Sequence, residues 1–422
     1  MPSTDAQRPL RLAVYGFVEK EAGGLASANF VFLKMLLDRG NRVDFYAVSG
    51  STPLKELRDH PNLRYFGFSR PILEAIWKVI DVIPFRSPHR LVQTVYSQVT
   101  HACYNRTIAR TLRAAHRDHT YDVLLVLGML SPFDVPGLAT VSWEQGTPNG
   151  EWEALENQRA IYKTLAGRFS YFGLKVFYLW RQYSTRRRFK YSNLAIYGSR
   201  WAVSKAEELG MPPGMGTSLP YPVDLAIYTP AENPAAPAGP VTLLHLGRLV
   251  PRKRLDLLLK GFQLLRRDDP DVRLRVIGSF AYASGYRKLL ADERLKPGVE
   301  YQQHIPRTGA LDALKHADIL VQPSENENFG TAVAEAQACG LPVVLGPTNG
   351  TGDYIDRQDF TFDRYEPAAV AQAMARAVAA CRTRRSELNA SARESAMRHF
   401  DVEKILDRLI PLLWQATRGL AK

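Results

Sequence analysis

The stretch from Asp318 to Leu345 limits the fold more than any other part of this chain. Asp318-Ile319-Leu320-Val321 is a short apolar run, the length of a buried strand and too short for a helix. A polar loop opens at Gln322. A helix is expected from about Phe329, with Gly340 as its C′ residue and Pro342 blocking continuation. Val343-Val344-Leu345 is the next strand. The same strand–helix rhythm recurs at Val241–Leu246 and Leu274–Ile277, and near the start at Leu12–Tyr15, Val43–Tyr46 and Val123–Leu127. That is the pattern of parallel α/β sheets. A chain of 422 residues is too long for one ordinary core. The Pro/Ala-rich run from Pro230 to Pro240 fits neither helix nor central strand. The expected division is 1–220, 221–400 and a last segment 401–422 that carries a helix from about Val402 to Ala416.

Two carboxylates frame the expected helix at 329. Glu327 lies in the loop before it and Glu335 about two turns in. The backbone N–H groups of Phe329, Gly330 and Thr331 stand at the helix N-terminus, which suits an anionic phosphate. Acceptor carboxylates beside a phosphate site suit ribose or sugar hydroxyls, so the stretch reads as a nucleotide-sugar pocket. A plainer reading makes Ser324 and Glu327 a capping box and Glu335 a solvated helix residue.

Leu243–Leu246 leads into Gly247-Arg248, and a helix is expected near Arg254 with Leu255, Leu258, Leu259, Phe262 and Leu265 on one face. Arg248 and Lys253 flank that strand-to-helix turn. Cations there can stabilise the charge that grows on a departing diphosphate; a solvated basic turn is the bland reading. At the start of the chain, Gly23-Gly24 sits between a strand and a helix, where a backbone can approach a ligand closely.

Glu327 and Glu335 have seven residues between them, with Phe-Gly after the first and Ala, then Gly-Leu-Pro-Val-Val, after the second. This resembles the E-x7-E signature of the retaining glycosyltransferases of family 4. The resemblance implies an α/β GT-B fold: two Rossmann-like domains facing a central cleft, with the C-terminal helix crossing back to the first domain. It implies sugar transfer from a nucleotide-sugar donor to an acceptor hydroxyl with retention of configuration, as in glycan, polysaccharide or glycolipid biosynthesis. By the same resemblance Glu335 holds the donor ribose, Glu327 orients the transferred sugar, and Arg248 and Lys253 hold the diphosphate. Gly23 and Gly24 lie over the donor phosphates. Attack is from the front face, with no protein nucleophile. Three departures stand out. Arg254 replaces the family's usual Gly, Pro-Tyr-Pro-Val-Asp replaces its usual turn, and Glu144 or Gln145 stands where a His is common. Another enzyme on the same fold, such as a nucleotide-sugar epimerase, is the alternative.

Charge is uneven. The formal net charge is +13, and residues 1–220 hold 28 Lys and Arg against 18 Asp and Glu, so most of the excess lies in the first half. Arg181, Arg186, Arg187, Arg188 and Lys190 follow an aromatic segment, Phe169 to Trp180. Aromatic residues beside basic ones suit an anionic membrane surface and a lipid-linked acceptor. Ile72–Ile83 is a second apolar candidate. The bland reading of both is core helices with solvated ends. A basic protein that binds nucleic acid or membrane without catalysis is the reading from another class. No nucleic-acid motif is recognisable, and no nucleic-acid partner is expected. Three cysteines and no secretory h-region suggest a cytoplasmic protein, peripheral at most on the inner face of the plasma membrane. No Cys/His spacing fits zinc, so no essential metal and no cofactor is expected.

Overall fold

The computed structural model describes residues 8–16, 18, 24–48, 56–68, 75, 87–118, 120–231, 239–280, 283–303, 305–356 and 359–418. Gly23, nearly all of the Ile72–Ile83 stretch and most of the Pro/Ala-rich run lie outside them. The chain divides into two compact units. One holds residues 1–149, 172–222 and 402–422; the other holds 150–171 and 223–401.

The first unit is built on a parallel sheet of order β3-β2-β1-β4-β5-β6-β7. Its strands are β1 (Arg11–Gly16), β2 (Arg42–Val48), β3 (Leu63–Phe68), β4 (Val123–Gly128), β5 (Ala139–Glu144), β6 (Leu194–Tyr197) and β7 (Gly216–Ser218). β4 and β5 are buried almost throughout, which is why they read as unbroken apolar runs. Helix α1 (Gly24–Asp38) and the long α2 (Ser87–Ala115) belong here. Along the chain follow α3 (Pro148–Asn157), α4 (Arg159–Leu165), α5 (Arg168–Arg188) and α6 (Arg200–Glu208).

The second unit has a parallel sheet of order β10-β9-β8-β11-β12. Its strands are β8 (Val241–Leu246), β9 (Val272–Ile277), β10 (Val299–Gln302), β11 (Ile319–Gln322) and β12 (Val343–Leu345). The helices are α7 (Leu255–Asp268), α8 (Tyr286–Leu290), α9 (Arg307–Lys315), α10 (Thr331–Ala338) and α11 (Pro367–His399). The apolar face expected on α7 is buried at Leu255, Leu258, Leu259, Phe262 and Leu265. Burial of each contributes about 1.5–3 kcal/mol. α11 packs on α7 and on α10. Gly340 has φ +80°, the left-handed C′ conformation that ends α10.

The last helix, α12 (Val402–Arg418), is strongly amphipathic and buries Ile405, Leu406, Leu409 and Leu413. It packs on α1 and β5 of the first unit. Arg39, just after α1, pairs with Asp407 at 2.8 Å and with Glu403.

Candidate active site

The order of the second sheet reverses between β8 and β11: β9 continues to one side, β12 to the other. In open α/β sheets ligands bind beyond the carboxyl ends of the strands at such a reversal. The candidate residues follow those two strands. Gln322 Nε2 donates to the Leu246 carbonyl at 2.6 Å and ties the strand ends together. Gly278, at the end of β9, completes a narrow rim. A Cβ there would lie 1.8 Å from the Gly247 carbonyl oxygen, so only glycine fits.

After β8 the chain makes a 3-10 turn, Pro251–Lys253, and Arg254 then adopts φ +55° before α7 begins. This explains the Gly usual at the matching position of the resembling family: the backbone there is left-handed, where a side chain costs roughly 1–2 kcal/mol. Arg254 is held by its head group. Its Nη1 donates to Glu325 Oε2 at 2.9 Å, and the guanidinium lies 5.6 Å from the Tyr365 ring centroid. Glu325 also accepts from Asn157 Nδ2 at 3.0 Å and Gln158 Nε2 at 2.6 Å. The end of α3 therefore braces the loop after β11.

Glu327 is held on both sides. Its N–H donates to the Thr348 carbonyl at 2.9 Å, and its carbonyl accepts from Gly350 N at 2.8 Å, so the loop after β12 fixes its backbone. Its side chain pairs with Arg252 at 3.0 Å and with Lys253 through the same oxygen. Burial works to raise the Glu327 carboxyl pKa; Arg252 and Lys253 outweigh it and hold it down at about 2. Burial lowers the Lys253 pKa, and Glu327 offsets this only in part. Arg248, one turn earlier, is exposed. The basic run thus divides by direction: Arg252 and Lys253 face Glu327, Arg254 faces Glu325, and Arg248 faces outward.

Glu335 sits on the half-exposed side of α10 and accepts from Tyr228 Oη at 2.9 Å. Tyr228 is placed by Arg393, which donates to the carbonyls of Tyr228 and Ala338 at 2.6 and 2.7 Å. Phe329 is buried against Tyr354 and Phe400. The Gly330 N–H does not point into an open site; it donates to Thr351 Oγ1 at 2.7 Å. Thr331 is the first residue of α10. Arg252, Glu325, Tyr228 and Thr351 were not singled out from sequence. Arg252 stood beside Lys253 in a basic run. Glu325 stood two residues before Glu327 in the same loop, whereas Tyr228 and Thr351 come from separate elements with no spacing to connect them.

In the first unit, Gly24 opens α1. Glu144 ends β5 and accepts backbone N–H groups from Leu130 at 2.8 Å, Gln145 at 3.1 Å and Gly146 at 3.2 Å. Burial raises its pKa against the pull of Arg181 and those N–H groups. Gln145 packs over Gly128. Trp143 is a core residue, between Phe32 and Tyr221.

Residues 231–395 match the family model of glycosyl transferases group 1. This segment is similar to a group 1 glycosyltransferase domain. A D-inositol 3-phosphate glycosyltransferase of Saccharomonospora viridis is 32% identical over 46% of this chain and 48% of its own length. The chain thus matches about half the length of that curated relative. Among solved structures, Anabaena HepE in complex with UDP and glucose superimposes with a TM-score of 0.66 at 14% identity, over 96% of this chain and 99% of that one. Sucrose-phosphate synthase from Thermosynechococcus elongatus gives 0.68 at 16% identity, over 97% and 100%. These likenesses show the fold, which is GT-B.

Proposed function

We propose that this protein is a retaining glycosyltransferase that moves a sugar from a nucleotide-sugar donor, with UDP-glucose the first candidate, to an acceptor hydroxyl. The observation that carries the reading is the Glu327 carboxylate held ionised by Arg252 and Lys253 at the β8/β11 reversal. A carboxylate fixed this way can accept hydrogen bonds from sugar hydroxyls without taking up their protons. Arg248 and Lys253 meet the diphosphate as its charge grows. Glu335, aligned by Tyr228, takes the ribose hydroxyls. Phe329 is a buried prop for the loop, and the N–H of Thr331, rather than that of Gly330, is the better phosphate donor. No residue serves as a covalent nucleophile; the leaving phosphate accepts the acceptor's proton. The UDP in the HepE complex supports the choice of nucleotide.

The second reading concerns location. No helix among the described residues is long and apolar enough to cross a membrane. α5, however, exposes Phe172, Leu179 and Tyr183 at 66%, 50% and 55%, beside the exposed Arg186 and Arg187. That favours a peripheral protein at an anionic, inner-face membrane surface, with a glycan or lipid-linked acceptor. A donor screen by nucleotide release, with and without lipid extract, tests both. Titration with UDP against a single-stranded oligonucleotide separates the enzyme from a nucleic-acid binder. Release of UDP from no donor, with tight oligonucleotide binding, sinks the reading. Conversion of the free donor to its epimer would favour an epimerase instead.

A further inference from the structure

The first unit contains a cavity of about 240 Å3 at the carboxyl ends of β4 and β5. Gly128 and Leu130 form one wall, Glu144 the base, and Trp180, Arg181 and Arg188 of α5 the other wall. The sheet order reverses between β1 and β4, so this hollow also sits beside a switch point. Its volume is below the ~300–1,000 Å3 of pockets that enclose a whole drug-sized ligand. It suits a headgroup.

Two arginines face one carboxylate, and that carboxylate already accepts three backbone N–H groups. Arg188 is half-buried: burial lowers its pKa, and the charge of Glu144 opposes that. The excess charge in the hollow is positive. Guanidinium matches phosphate oxygens in a bidentate fork.

The same helix has a second face. Phe172, Val176, Leu179, Trp180 and Tyr183 are all exposed and recur at the spacing of one helical stripe. Trp180 belongs to both faces: it is 39% exposed on the stripe and lines the cavity. A positive hollow and an apolar rail therefore meet at one side chain. Exposed Arg186, Arg187 and Lys190 follow at the helix end.

We infer that the acceptor is an anionic lipid, its phosphate-bearing headgroup seated in the Arg181–Arg188 hollow and its apolar portion lying along the α5 stripe. The inference rests on the acceptor-side reading of this unit. Lipid binding and donor binding are measured separately, so the two can fail independently.

The probes are dioctanoyl phosphatidic acid below its micellar concentration, dioctanoylglycerol and inorganic phosphate, titrated into the full chain. The phosphatidic acid is expected to bind at least ~10-fold more tightly than either of the others, since each supplies only half of the contacts. Arg188→Gln should weaken it ~10-fold, the scale of one lost charge-assisted hydrogen bond, while leaving UDP binding unchanged. Arg188→Lys, which keeps the charge, should recover part of that loss and guards against misfolding. Leu179→Ser should weaken the phosphatidic acid but not inorganic phosphate. Equal binding of phosphatidic acid and dioctanoylglycerol overturns the headgroup site. Equal binding of phosphatidic acid and inorganic phosphate overturns the lipid. Unchanged binding by Arg188→Gln overturns the anchor. If UDP fails to bind while the phosphatidic acid binds as expected, the donor reading fails and the lipid site stands.

Discussion

Arg252 Nη1 lies 3.0 Å from Glu327 Oε2, the same oxygen that takes the Lys253 ammonium. Two cations on one carboxylate oxygen leave the other oxygen for a ligand and fix the carboxyl plane. The pair therefore acts as a unit. Arg252→Met and Lys253→Met should each lower sugar transfer, and the double variant should lose less than the two losses together. The expected coupling is ~0.5–3 kcal/mol, the range for residues in one salt-bridge network. Single-turnover rates and thermal melts of the four proteins would test it; strictly additive losses would separate the two cations. Arg248→Ala, which alters an exposed side chain, should cost ~100-fold or more in turnover with no change in melting.

Arg254 occupies a left-handed backbone position and stays there through Glu325. Arg254→Gly removes the backbone strain but leaves a buried carboxylate with two neutral amides. A net loss of ~1–3 kcal/mol is expected in urea unfolding, because an uncompensated buried charge outweighs the relief. Adding Glu325→Gln to Arg254→Gly should restore much of it. A more stable Arg254→Gly single variant would mean that the guanidinium contributes nothing.

Glu335 and Tyr228 offer a graded test of donor binding. Glu335→Ala should weaken UDP by ~1–3 kcal/mol, as for a lost charge-assisted hydrogen bond. Tyr228→Phe removes only the alignment and should cost ~0.5–1.5 kcal/mol. Calorimetric titration in which Glu335→Ala binds like the parent removes Glu335 from the ribose.

His245 lies fully buried in β8, its Nδ1 bonded to the Val321 carbonyl at 3.0 Å. Burial pulls its pKa down to about 4, with Lys253 adding to the effect. The unfolded chain keeps the ordinary value near 6.5, so between those values it binds more protons than the folded protein. Stability should then fall as pH drops from about 6.5 toward 4, by up to ~3 kcal/mol from this residue. Denaturant unfolding across that window should show a shallower slope for His245→Gln. An unchanged slope would assign the acid sensitivity to other groups.

The parallel sheets were legible from short apolar runs between glycine and proline stops. Val241–Leu246 and Val343–Leu345 coincide with the strands found, and Gly340 does end its helix. Glu327 and Glu335 were legible because one loop and one short helix fix their separation. Arg252 was not, because the sequence does not show which member of Arg-Lys-Arg turns toward Glu327. Tyr228 and Gln158 lie 107 and 167 residues from the carboxylates they meet, and no local pattern connects positions so far apart. Nor did composition mark residues 150–171 as part of the second unit, since the Gly146-Thr147-Pro148-Asn149 run before them reads as an ordinary loop within the first half. The Arg181–Lys190 run looked like one patch. Helical phase divides it, with Arg181 and Arg188 on the cavity and Arg186 and Arg187 outside.

α12 supplies Leu409 and Leu413 to a core whose strands β1 to β7 all lie before residue 219. During synthesis these strands leave the ribosome well before their covering helix does. The apolar side of α1 and β5 must wait, through the translation of the whole second unit, for its lid. That interval exposes the nascent first unit to chaperones and to mispairing, while the second unit can close on its own residues as soon as Asp401 has emerged.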